Sequence, residues 1–81
     1  MYKFNPNLIF RDDEKSIFSL ENMEIYQFNL TGFEAIKKMK DFSEPVTYEK
    51  WLVKVKEIPD MDSENIKEFW DSLIEKRIFI E

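Results

Sequence analysis

Short apolar segments separated by polar residues occupy the first third of the chain. The three segments are residues 8–10, 17–20 and 25–29. In the third segment the alternation puts Tyr26 and Phe28 on one face and Gln27 on the other. Lengths near five, β-branched and aromatic residues and polar breaks are typical of strands. We therefore predict a three-stranded antiparallel meander.

Apolar residues at helical spacing follow in the remaining two thirds. Thr31 and Glu34 fit a capping box at the start of a first helix, and Pro45 ends that segment. We predict that Thr47 caps a second helix and Asp62 a third. The apolar stripes of the second and third helices are Tyr48, Trp51, Leu52 and Val55, and Ile66, Phe69, Trp70, Leu73 and Ile74. Residues 78–80 then close the chain as a short extended hook.

Together these elements predict one α+β domain over residues 1–81, a β-meander followed by three helices. The chain has 81 residues, which is the size of a single small domain. Apolar residues make up 43% of it and aromatic residues 16%, enough for a hydrophobic core despite the 36% of charged residues.

Composition argues against several classes of function. Twelve Lys and Arg stand against seventeen Asp and Glu, and a net charge of −5 disfavours binding to nucleic-acid phosphates. The chain has no Cys and no His, which excludes disulfides, zinc sites built from those residues, thiol nucleophiles and Ser–His pairs. No apolar run exceeds three residues. We therefore expect a cytoplasmic protein that is not an enzyme, uses no cofactor or metal, and binds neither nucleic acid nor membrane.

The order of these elements resembles the PqqD-like family, also called the RiPP precursor peptide recognition element. The best local match is residues 26–36, where an apolar-Asn-x-Thr turn joins a strand to a helix. A second match is Val46-Thr47 at the start of the second helix. The third runs from Ile66 through Phe79, the closing helix and its hook, with Arg77 where the family often has Gly. The resemblance spans about residues 7–81.

This resemblance implies a winged-helix-like fold and a peptide-binding function. Such domains bind the N-terminal leader of a ribosomally made precursor peptide. They deliver it to a modifying enzyme, such as a radical SAM enzyme, a protease or a cyclase. The leader is expected to add as a strand beside the third strand, in the groove between that strand and the third helix. The implied site residues are Ile25, Tyr26, Gln27, Phe28 and Asn29 on the strand, and Lys67, Trp70, Asp71 and Ile74 on the helix.

Core packing is the competing interpretation of several of these residues. The stripe of the third helix is what a buried helix face requires, so Phe69 and Leu73 are first of all core residues. The stripe is wider than one seam needs, and Trp70 or Ile74 therefore faces either the core or the groove. A free strand edge also allows the protein to be either a monomer or an edge-paired homodimer.

Two other functions remain open at this stage. The main alternative is a winged-helix DNA-binding regulator that reads DNA with its third helix. Two features disfavour this alternative. Residues 63–77 carry one negative charge in excess, and the strands precede the helices. The second is a non-catalytic subunit that bridges other chains. The lysines at positions 37, 38, 40, 50, 54 and 56 form either a solvated helix face or a docking surface for an acidic leader or an enzyme.

Overall fold

The computed structural model describes residues 1–59, 61 and 64–81, and it has the predicted α+β class. Its elements are β1 (Lys3–Phe4), β2 (Leu8–Arg11), β3 (Ser16–Ser19), β4 (Glu24–Gln27), α1 (Leu30–Lys37), a 3-10 helix (Lys38–Asp41), α2 (Tyr48–Val55), α3 (Ile66–Glu75) and β5 (Phe79–Ile80). The predicted three-stranded antiparallel sheet and three α-helices are confirmed. Within the described ranges, no helix is both long and apolar enough to cross a bilayer.

The meander consists of β2, β3 and β4, with β3 in the centre. The register pairs Ile9 with Phe18 and Phe18 with Ile25, and in the next row Phe10 with Ile17 and Ile17 with Tyr26. Ile17 is fully buried, whereas Ile9 and Ile25 are 47% and 59% exposed. One face of the sheet therefore packs on the core and the other faces solvent, as in many antiparallel sheets.

A second, two-stranded sheet joins the two ends of the chain. β1 pairs antiparallel with β5, so that Phe4 lies opposite Phe79. Beside it, the backbone of Tyr2 exchanges two hydrogen bonds with Val46, of 2.7 and 2.8 Å. The hook at the end of the chain was predicted, but its partner β1 was not, because two residues are too few to show a period.

The start of α1 differs from the prediction. Asn29 caps the helix, since its Oδ1 accepts a hydrogen bond of 2.7 Å from the Gly32 N–H. Thr31, the predicted cap, lies inside the helix. A capping residue keeps an extended backbone, and Asn29, with φ −76° and ψ 172°, is the last extended residue after β4. Both residue types cap helices well, so the prediction was wrong by two positions.

The other predicted helix starts have different outcomes. Thr47 does cap α2, because its Oγ1 accepts from the Lys50 N–H at 3.3 Å. The predicted cap of the third helix, Asp62, lies outside the described residues. Nearby, Met61 packs against the buried core, to which Ile66 belongs.

The core centres on three aromatic side chains from different elements. Trp51 of α2, Trp70 of α3 and Phe79 of β5 are buried, and their ring centroids lie 4.8 to 5.8 Å apart. The Trp51 indole N–H donates to the Ala35 carbonyl of α1 at 3.0 Å. Such clusters combine large apolar area with favourable ring geometry, and this one holds α1, α2, α3 and the C-terminal strand together.

A Schellman motif ends α3 and aims the chain into β5. The Arg77 N–H donates to the Ile74 carbonyl at 3.0 Å and the Ile78 N–H to the Leu73 carbonyl at 2.9 Å. Arg77 has φ 59°, the left-handed conformation that usually favours Gly at this position. The turn expected before the hook therefore forms around an arginine.

Candidate functional site

One edge of the meander is open at β4. Within the described part of the chain, β4 pairs with β3 on one side and with no strand on the other. The Phe28 N–H donates to the Lys15 carbonyl on the β3 side at 3.0 Å. Because backbone directions alternate along a strand, the N–H and C=O groups of Ile25 and Gln27 point to the open side. Two donors and two acceptors are thus placed to pair with an added strand.

Helix α3 lies alongside this edge strand. The Phe28 ring meets the Phe69 ring edge-on, with centroids 6.2 Å apart, and the Lys76 Nζ lies 5.9 Å from the Tyr26 ring centre. Phe69 and Lys76 are seven residues apart and therefore on the same side of the helix. We call Phe69, Ser72 and Lys76 the β4 flank of α3. We call the strip between β4 and this flank, beside the rings of Phe28 and Phe69, the β4–α3 groove.

Asn5 ties the far end of α3 to the turn before β4. It is only 3% exposed. Its Nδ2 donates to the Arg77 carbonyl at 2.9 Å and to the Glu21 carboxylate at 3.0 Å, and its Oδ1 accepts from the Asn7 N–H at 3.0 Å. Glu21 also pairs directly with the Arg77 guanidinium. One buried amide therefore links the turn after α3, the turn before β4 and the loop between β1 and β2.

These contacts shift two ionisation equilibria. Hydrogen bonds from Asn5 and then from Arg77 lower the pKa of the Glu21 carboxyl below its ordinary value of 4.5. Burial raises the pKa of the Tyr26 phenol above its ordinary value of 10.0, against the opposing effect of a hydrogen bond from Asn22. At neutral pH the Glu21 carboxylate, in the turn before β4, is therefore charged, and the Tyr26 phenol beside the groove is neutral.

The predicted strand residues occupy three different positions. Ile25 and Gln27 are exposed and lie at the open edge. Tyr26 and Phe28 are half-buried on the inner face of the sheet, beside the groove, as the alternation predicts. The side-chain oxygen of Asn29 is engaged in capping α1. The structure thus brings four of the five residues to the edge or the groove.

The predicted helix residues lie on the α2 side of α3 or in the core, and their role in binding stays a prediction. Lys67 pairs with Asp71 at 3.4 Å, and its Nζ lies 4.7 Å from the ring centre of Tyr48 in α2. Ile74 is seven residues after Lys67 and shares its side of the helix. We call Lys67, Asp71 and Ile74 the α2 flank. Trp70 is 2% exposed and belongs to the core.

The residues of α3 that face β4 were not among the predicted binding residues. Phe69 was assigned to the core stripe, and Ser72 and Lys76 to no site. Helical periodicity identifies the centre of the buried stripe, here Trp70 and Leu73, but gives no information on which element packs at either side. An aromatic residue at the margin of the stripe was the available signal.

Some lysines of the predicted basic set have local partners. Lys37 pairs with Asp12 at 3.2 Å, which joins α1 to the turn between β2 and β3. The Lys40 Nζ lies 4.2 Å from the centre of the Phe10 ring. These contacts favour the interpretation of this set as a solvated helix face.

Comparisons with known proteins add no assignment. No protein-family model matches the chain, and neither the curated proteins nor the solved structures contain a significant match.

Proposed function

We propose that this protein binds the leader of a ribosomally made precursor peptide and delivers it to a modifying enzyme in the cytoplasm. The leader adds as a fourth strand to the meander, at β4, and lies in the β4–α3 groove. The observation that carries the proposal is the open edge at Ile25 and Gln27 directly beside α3. The arrangement of a meander followed by three helices supports a winged-helix-like class.

Strand addition divides affinity and selectivity between two kinds of contact. Backbone hydrogen bonds at the edge would supply much of the affinity whatever the sequence of the leader. Side chains of the leader would alternate between the outer face of the sheet and the groove, and those in the groove would meet Phe28 and Phe69. A single added strand buries a modest area, so we expect a dissociation constant on the order of nM to μM.

The DNA-binding alternative has less support from the charges on α3. The helix carries Glu68, Asp71 and Glu75 against one lysine, Lys67, and all four are exposed. A helix that enters the major groove needs cations and amides to meet phosphates and base edges. DNA binding is therefore the weaker of the two hypotheses, and duplex DNA is used to test it.

Proline at the open edge provides the test. The Gln27 N–H points away from β3, so Gln27→Pro removes a donor for the leader and leaves the β3–β4 hydrogen bonds in place. The ligand is the leader of a precursor peptide encoded beside the gene, titrated by calorimetry. We expect Gln27→Pro to weaken binding about tenfold or more, a loss of roughly 1.4 kcal/mol or more.

The matched control is Gln27→Ala, which keeps the N–H and removes the side chain. We expect it to bind within about threefold of the wild-type protein, a difference of less than about 1 kcal/mol. Equal binding by a folded Gln27→Pro variant would exclude strand addition at β4. Binding of duplex DNA in place of the leader would favour the regulator.

A further inference from the structure

An apolar row crosses the outer face of the meander and ends at the open edge. The register aligns Ile9, Phe18 and Ile25 across all three strands. Ile25, the last of them, is 59% exposed. An added strand would place one side chain directly opposite Ile25, and cross-strand apolar pairs of this kind stabilise a sheet. An apolar residue at that position would extend the row from three strands to four.

The neighbouring positions of an added strand face the groove, where carboxylates along the solvent side outnumber Lys76, the cation of the β4 flank. Successive side chains of a strand point to opposite faces, so residues before and after the one opposite Ile25 point towards α3. Glu68, Ser72 and Glu75 follow one another at helical spacing on the solvent side of the β4 flank. Both glutamates are exposed, and neither forms an ion pair with another described residue. Glu24 at the start of β4 adds a third carboxylate.

On the basis of the proposed function, we infer that the leader segment bound at β4 is a strand in which basic and apolar residues alternate. An apolar residue lies opposite Ile25, and Lys or Arg occupies the adjacent positions that face α3. The apolar row fixes the register of the bound segment, and the two glutamates select its charge.

Charge also distinguishes this ligand from a second copy of the chain. Pairing of β4 with β4 of another copy would bring the glutamates at positions 24, 68 and 75 of both chains to one seam. Each copy has a net charge of −5, which adds repulsion between them. A basic peptide reverses both effects, so it fits this edge better than self-pairing does.

Three synthetic peptides test the pattern directly. The first is a capped nine-residue peptide that alternates Lys and Val. The second has the same composition with the Lys and Val residues in separate blocks, and the third alternates Glu and Val. We expect the alternating Lys peptide to shift the amide NMR signals of Ile25 and Gln27, and to bind at least about tenfold more tightly than either of the others.

Two double variants of equal charge locate the effect on the protein. Glu68→Gln with Glu75→Gln removes the two carboxylates on the solvent side of the β4 flank. Glu49→Gln with Glu57→Gln removes two exposed carboxylates on and just after α2. An exposed ion pair changes affinity by roughly 1.5- to 5-fold. We therefore expect the first pair to weaken binding of the alternating Lys peptide roughly fivefold, and the second pair to change it less than about twofold.

A third comparison tests the apolar row. We expect Ile25→Thr, which keeps a β-branched side chain, to weaken binding of the same peptide roughly threefold. Val53→Thr, at an exposed apolar site on α2, serves as its control and should leave binding unchanged.

Several results would overturn the inference. The Glu and Lys peptides could bind equally well, or the two double variants could have equal effects. The alternating Lys peptide could also fail to bind at about millimolar concentration. None of these affects the proposed function if the encoded leader still binds wild type and fails to bind Gln27→Pro. Leader binding that is insensitive to Gln27→Pro would instead remove the proposed function itself.

Discussion

The two flanks of α3 have similar polarity in the sequence and different surroundings in the structure. The α2 flank is occupied by the ion pair of Lys67 with Asp71 and by the contact of Lys67 with Tyr48. The β4 flank lies beside a strand whose outer backbone groups are open. One helix thus completes the core with Trp70 and borders the open edge of the meander with Phe69.

This difference separates residues that stabilise the fold from residues that can contact a ligand. A side chain at the centre of the buried stripe affects stability, and its substitution says little about binding. A side chain on the β4 flank can affect binding with little change in stability. Variants that act on only one of these properties therefore test the comparison.

The largest effect is expected in the core between the flanks. Trp70→Ala should lower the free energy of unfolding by about 3–5 kcal/mol, because it empties the space between Trp51 and Phe79. Urea denaturation followed by circular dichroism measures the change. Val53→Ala, at an exposed site on α2, should cost less than about 0.5 kcal/mol and serves as the control. A loss below about 1 kcal/mol for Trp70→Ala would show that the aromatic cluster is not the main core.

The next effect concerns Asn5, the amide that links the end of α3 to the turn before β4. Asn5→Ala should cost about 2–3 kcal/mol in the same assay, because the Arg77 carbonyl loses its buried donor. Asn7→Ala alters an exposed amide two residues away and should cost less than about 0.5 kcal/mol. Equal costs for the two variants would be inconsistent with the assigned role of Asn5.

A smaller effect, on leader binding, is expected when an arginine is introduced on one flank of α3 or the other. Ser72→Arg should obstruct the groove and weaken leader binding about tenfold, or roughly 1.4 kcal/mol. Asp71→Arg places an arginine on the α2 flank, one residue away, and should change the affinity less than about threefold. Calorimetric titration of both variants with the leader measures the two affinities. A larger loss for Asp71→Arg would move the site to the α2 flank.

The smallest effect is a dependence of stability on pH. The pKa of the Glu21 carboxyl is lower in the folded protein than its ordinary value. The contribution of this carboxylate to the stability of the fold is therefore present above pH 4.5 and is lost as the pH falls through the folded pKa. We expect Glu21→Gln to be less stable than wild type at pH 7, and the difference to disappear in acid. A difference that stays constant between pH 7 and pH 3 would contradict this linkage.

Much of the secondary structure could be predicted from local patterns. The alternation at Tyr26, Gln27 and Phe28 identified both β4 and its inner face, and the cap at Thr47 was correct. The pairing of β1 with β5 was missed, because it joins residues from opposite ends of the chain and neither strand exceeds two residues. Long-range pairing of such short strands leaves no periodic signal.

The site could be predicted only in part, for a related reason. The strand residues were implied by the family resemblance, local alternation predicted their faces, and four of the five lie at the edge or the groove. The helix residues depend on the direction from which β4 approaches α3, which the contacts at Asn5, Phe28 and Phe69 determine. These are tertiary contacts, so neither the periodicity of α3 nor the family resemblance that implied Lys67 and Trp70 could show which side of the helix faces β4.

Hydrogen exchange at β4 tests the central claim most directly. In the free protein the Ile25 and Gln27 amides should exchange rapidly, whereas the Phe28 amide, bonded to the Lys15 carbonyl, should be protected. Addition of the encoded leader should slow exchange at Ile25 and Gln27 and leave Phe28 nearly unchanged, because only the outward groups gain partners. Leader binding that leaves Ile25 and Gln27 in rapid exchange would contradict strand addition at this edge.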